Sequence, residues 1–175
     1  MTLTEETRDQ TTAASSAKPP YGAYAGIVGT FAGVLGLAGV LARALGREPR
    51  GDTTLDLAVL SMATFKTART ITRDDVTSFI RAPFVAGEAG RGNEEEPIPT
   101  GGIQQAIGEL VTCSRCVGTW AAAGLATTEI LAPRFGRLLT WSLAAAGAND
   151  FLQAGFVAVT HRTNVLDRSR SSSPP

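Results

Sequence analysis

Residues 21–42 read YGAYAGIVGTFAGVLGLAGVLA, twenty-two positions without a charged side chain. At about 1.5 Å per residue a helix of this length reaches about 33 Å, enough to cross the hydrocarbon core of a bilayer. Gly22, Gly26, Gly29, Gly33 and Gly36 recur at alternating spacings of four and three, so they share one helix face. In water each helical glycine costs about 1 kcal/mol relative to Ala, which argues against a soluble helix. In lipid the backbone has no water to turn to, and the helix persists. A stripe of small residues admits close approach by another helix. Packing within the same chain is the simpler expectation; a homo-oligomer or another membrane protein is the rival partner for that face.

Working outward, residues 1–20 are rich in Thr, Ser, Ala and Glu and read as a disordered tail. Acidic residues come first and the apolar run is too long for a signal peptide, so Tyr21 to about Arg43 is read as a retained span, although Ala42-Arg43-Ala44 imitates a cleavage site. Thr53 with Asp56 three residues on has the capping-box spacing. A second helix therefore begins at Thr54 and runs to about Arg73. Its second half carries Lys66, Arg69 and Arg73 on one face. A basic stripe on a spanning helix must snorkel to the headgroups or face a polar interior, and snorkelling is the simpler expectation.

Residues 74–102 read as a loop containing Glu94-Glu95-Glu96 between glycines and prolines. Ile103, Ile107, Leu110 and Val111 repeat with helical period, which predicts a short amphipathic helix over 103–112 lying along the membrane surface. A third span is expected over 113–132 and a fourth over 138–160, joined by a tight turn at 133–137. Tyr21, Tyr24, Trp120 and Trp141 would suit aromatic belts. Residues 161–175 read as a polar, disordered tail. The fold class is therefore all-α, a membrane helix bundle of about four spans with an interfacial amphipathic helix, and membrane lipid is its first partner. Nine Lys and Arg flank the spans on the side of both termini and the long loop, against five on the other. The positive-inside tendency then puts both termini in the cytoplasm of a multi-pass protein.

Lys and Arg total 16 and so do Asp and Glu, so no global field points to nucleic acid. The single His161 excludes a multi-histidine metal cage within one chain, and no cofactor is predicted. Asn149 and Asp150 fall near the centre of the fourth span, where an ionised carboxylate is expensive unless it faces protein or water. Asp150 is expected to pair with Lys66 or Arg69 and fix helix register; a proton or ion relay is the alternative. Ser142, Asn149, Gln153 and Thr160 share one face, read as interhelical hydrogen bonding. Cys113-Ser114-Arg115-Cys116 has C-x-x-C spacing. Packing is the first expectation for these thiols. Metal ligation, which needs about four donors and hence two chains, and redox exchange remain open beside it.

Phe65-Lys66-x-x-Arg69-x-x-x-Arg73-Asp74, Arg81-Ala82-Pro83-Phe84, Thr112-Cys113-x-x-Cys116-x-Gly118-x-Trp120 and Asn149-Asp150-Phe151 occur in that order. This ordered set resembles a family of small bacterial membrane proteins classed as a domain of unknown function, which includes a Bacillus sporulation protein. The resemblance covers about residues 53–160 and implies a bacterial cell-membrane location without an activity. The family pattern has a His near the Asn-Asp pair where this chain has Gln153, which weakens a catalytic reading of that span. The expectation is an uncharacterised membrane protein, structural or assembly-related and not an enzyme. The alternatives are a thiol-disulfide oxidoreductase or metal-binding protein using Cys113 and Cys116, and a small ion-coupled transporter subunit.

Overall fold

A computed structural model describes residues 19–47, 53–87 and 95–171, with side chains described as far as residue 163. The expected N-terminal tail lies outside these residues except for Pro19 and Pro20. Helix α1 (Tyr21–Ala44) is followed by α2 (Thr54–Arg73), a 3-10 turn (Asp75–Thr77) and the one-turn helix α3 (Ser78–Arg81). Then come β1 (Val85–Ala86), β2 (Glu96–Pro97), α4 (Ile103–Thr112), α5 (Ser114–Leu131) and α6 (Pro133–Ser171). The described chain is mostly helical, as the sequence predicts. Among the described residues, α1 is the one helix long and apolar enough to cross a membrane.

Helix α2 starts where the capping box places it: Asp56 N–H donates to Thr53 Oγ1 at 3.2 Å, and Thr53 N–H donates to Asp56 Oδ2 at 3.1 Å. The core lies where α2, α5 and α6 meet, around Ala63, Leu125 and Ala144, flanked by Val59, Leu60, Met62, Leu139 and Leu143. Small residues allow this closeness. A Cβ on Gly147 of α6 would stand 3.0 Å from the Met62 carbonyl oxygen of α2.

The expected turn at 133–137 is already helix. Pro133 opens α6, a position where its missing N–H costs nothing. Only Ala132 separates α5 from α6. The corner closes because Gly136 has no side chain: a Cβ there would meet Glu129 Cα and N at 2.6 Å. The C-terminal segment departs from expectation in the opposite sense. Helix α6 continues to Ser171, because no Gly or Pro interrupts the chain between His161 and that point.

The expected loop at 74–102 is partly ordered. Strands β1 and β2 pair antiparallel, Val85 opposite Pro97 and Ala86 opposite Glu96. Beneath them Arg81 is fully buried and makes a bidentate ion pair with Glu95, Nε to Oε2 at 2.6 Å and Nη2 to Oε1 at 3.1 Å. Arg81 Nη1 donates to the Ile71 carbonyl at 2.7 Å and to Thr77 Oγ1 at 3.0 Å. The end of α2 is thus tied to the returning strand. Helix α4 occupies 103–112 as predicted, with Gly108 against the Phe84 carbonyl and Pro97.

Helix α1 has no buried residue. Of its half-buried positions, Tyr24, Ile27, Phe31, Ala38 and Ala42 lie on one face, with Ala23 at its edge, toward α4 and α5. At about 100° per residue the Gly22, Gly26, Gly29, Gly33 and Gly36 stripe falls on the opposite face. A Cβ on any of these five would meet nothing within 4 Å. The expected packing of the stripe within the chain is therefore corrected: the large side chains of α1 dock it, and the glycines face away.

Candidate functional site

Two places bring chemistry-bearing residues together. The first is midway along the bundle, where α2 crosses α6. Lys66 Nζ donates to Asp150 Oδ2 at 2.9 Å, both side chains partly exposed at 21% and 35%. Phe65 packs on Phe151 beside it, ring centroids 5.1 Å apart. Asp150 is placed by α6 and Lys66 by α2, so the pair fixes the rotation of each helix against the other. Lys66 is engaged with Asp150 across the α2–α6 contact, one of the two mates that sequence spacing offered that carboxylate. Arg69, Arg73 and Asn149 are exposed, outside this pair. The face carrying Ser142, Asn149 and Gln153 is also exposed, and the Thr160 hydroxyl donates to its own helix at the Phe156 carbonyl. Among the described residues that face makes no interhelical hydrogen bond of the kind expected, because α6 turns the Asp150 side toward α2 instead.

The second place lies where α1, α4 and the first turns of α5 converge. Cys113 is the single residue between α4 and α5 and N-caps α5, its sulfur accepting the Cys116 N–H at 3.3 Å. The start of α5 is held against α2 by a 2.8 Å hydrogen bond between Ser114 and Thr72. Thr72 Oγ1 already donates to the Ala68 carbonyl at 2.9 Å, so Ser114 is the donor. Both cysteines are free; Cys113 is half-buried and Cys116 exposed. The cap is a structural use of Cys113, and Cys116 leaves its thiol at the surface. Among the described residues no group of three or more His, Cys, Asp or Glu stands together as a metal cage.

Beside Cys116 a cavity of about 320 Å3 opens between the three helices, lined chiefly by Tyr24, Ile27, Phe31, Leu110 and Trp120. Trp120 stacks edge-to-face on Phe31, centroids 4.9 Å apart. Tyr24 donates its hydroxyl to Glu109 Oε2, and Gln105 Nε2 donates to Glu109 Oε1 at 2.8 Å. Tyr24 and Trp120, expected in aromatic belts, are thus used between helices. Sequence reasoning missed both Glu109 as the acceptor for α1 and Glu95 as the mate of Arg81. The first had a signal in its helical spacing from Gln105. The second is brought to Arg81 only by the strand pairing.

The family described as Protein of unknown function (DUF1360) matches residues 59–156, more than half of the chain. The chain belongs to the DUF1360 family. The matched stretch contains Lys66, Arg81, Cys113, Cys116 and Asp150 and omits α1. Among relatives, the chain is 32% identical over 104 residues to Sporulation protein YjcA of Bacillus subtilis (strain 168), covering 57% of this chain and 88% of that protein. It is 28% identical over 104 residues to UPF0713 protein YngL of the same organism, covering 57% of this chain and 76% of that protein. No solved structure matches it significantly.

Proposed function

We propose that this DUF1360 member is a multi-pass bacterial cell-membrane protein with a structural or assembly role, whose polar groups within the bundle set helix packing. The observation that carries the reading is the Lys66–Asp150 ion pair. A cation and a carboxylate placed in mid-helix are costly in lipid and are retained there when they satisfy each other. Here they meet at 2.9 Å. Asp150 already has its mate, which favours packing over an ion or proton relay.

Helix directions support four crossings. Thr72 at the end of α2 meets Ser114 at the start of α5, so these two run antiparallel. Met62 faces Gly147 and Lys66 faces Asp150, so α2 and α6 run the same way. Up-down-up-down threading, with the 74–102 segment and α4 returning on one side, satisfies both relations. On this reading α4 lies along the interface and both termini are cytoplasmic. The glycine face of α1 is then free for a second helix in the bilayer, from another copy or another membrane protein. Kinship with a protein named for sporulation fits an assembly role.

The test is topological. Reporter fusions after Arg50 and after Pro175 are expected to report opposite sides of the membrane, and the protein should resist carbonate extraction. Matching signals from the two fusions, or recovery in the aqueous fraction, would remove the four-span reading.

A further inference from the structure

The structural role leaves two thiols unused, and the fold gives them unlike surroundings. Cys113 is in an extended conformation, φ −92° and ψ 101°, at the N-cap of the eighteen-residue helix α5. The Cys116 amide N–H points at its sulfur from 3.3 Å, and the positive end of the helix lies behind that amide. This is the setting in which a thiolate is stabilised and becomes the nucleophile. Arg115 stands between the two cysteines and adds positive charge nearby. Cys116 sits one turn on, exposed, on the wall of the cavity lined by Ile27, Phe31, Leu110 and Trp120. Residues three apart at a helix start have their Cβ atoms about 5–6 Å apart. A change of side-chain rotamer with a small backbone shift closes that to the disulfide range of about 3.5–4.5 Å.

We propose that Cys113 and Cys116 form a reversible dithiol–disulfide couple that exchanges with a disulfide on a protein partner, Cys113 attacking and Cys116 resolving. The inference goes beyond the structural role and does not depend on it. In the first step the Cys113 thiolate forms a bond to one sulfur of the partner disulfide, and that S–S bond breaks. The departing partner thiolate takes up the proton that Cys113 gave to water. In the second step Cys116 loses its proton, attacks Cys113 Sγ, and expels the other partner sulfur, which is protonated in turn. The couple loses two electrons and two protons; the partner disulfide gains both and becomes two thiols. Run backwards, the same steps oxidise a partner. The apolar cavity beside Cys116 offers a seat for side chains flanking the partner's disulfide.

The experiment uses the full chain in mild detergent, with oxidised glutathione as the probe and intact mass as the readout. The wild type is expected to lose both thiols together as one internal disulfide, without a retained glutathione, and to recover them with dithiothreitol. Cys116→Ser should accumulate a glutathione adduct at Cys113, because the resolving thiol is gone. Cys113→Ser keeps an oxygen acceptor at the N-cap and so keeps the helix start. Its remaining Cys116 should react at least about ten-fold more slowly, because it sits inside the first turn and not at the N-cap, where the amide donated to Cys113 favours a thiolate. Equal rates in the two single variants would overturn the assignment of roles. Glutathione retained on both wild-type thiols, or a stoichiometric metal that protects both, would overturn the couple itself.

Discussion

Helix α1 and the α2–α5–α6 core differ in a way that inverts their sequence signals. Helix α1 is the most apolar segment, yet it buries none of its own residues and is held by one face and a Tyr24–Glu109 hydrogen bond. The core helices carry Lys66, Asp150 and a row of hydroxyls, yet they contain the buried cluster around Ala63, Leu125 and Ala144. The family match starts at residue 59 and covers the core without α1. Hydropathy reports the solvent a helix tolerates. Which helices belong together is decided by shape and by pairs of polar groups that satisfy one another.

The sharpest way to break this contrast is at Arg81, which roots the end of α2 to the returning strand. Arg81→Leu removes the guanidinium from the buried Glu95 carboxylate and should destabilise the core by about 3–5 kcal/mol, read as a lowered thermal midpoint in detergent. Arg81→Lys keeps the charge but not the fork, so it should recover only part of that loss. An unchanged midpoint for both would show that the segment is not coupled to the core.

Gly136→Ala comes next. Its Cβ would stand 2.6 Å from Glu129 backbone atoms, so the α5–α6 corner must open, at a cost of about 1–3 kcal/mol. Gly29→Ala, on the outward face of α1, is the matched control and should leave the core midpoint where it was.

At the α2–α6 crossing, Asp150→Leu should cost more than Asp150→Asn, because the amide still accepts a hydrogen bond from Lys66 and Leu does not. Partial exposure keeps the difference near 1 kcal/mol. The exchange Asp150→Lys with Lys66→Asp should restore assembly lost in Asp150→Lys alone; failure of the exchange would make the pair incidental.

The smallest expected effect is at α1. Tyr24→Phe deletes one hydrogen bond, about 1 kcal/mol of α1 docking, and should raise protease sensitivity in the 45–53 connection while the core midpoint stays put. Gly29→Leu should leave the monomer intact and change only cross-linking between copies or partners. A core that unfolds with Tyr24→Phe would place α1 inside the cooperative unit.

The sequence by itself determined the local elements. Residues 21–42 were legible as helix because a long uncharged run without proline can satisfy its backbone within itself, and α1 spans Tyr21–Ala44. The start of α2 follows from Thr53 and Asp56, whose side chains bond each other's amides, and α4 follows from the period of Ile103, Ile107, Leu110 and Val111. Sequence spacing also left Asp150 with two possible mates. Only the tertiary structure chose Lys66, because the choice depends on how far α2 is rotated and shifted against α6, which Gly147 and Met62 set. The same holds for Glu95: nothing in a run of three glutamates says which one is buried until β1 and β2 pair. The glycine stripe was legible as a stripe, but the side from which it would be met was not, since that depended on Tyr24, Ile27 and Phe31 docking the opposite face.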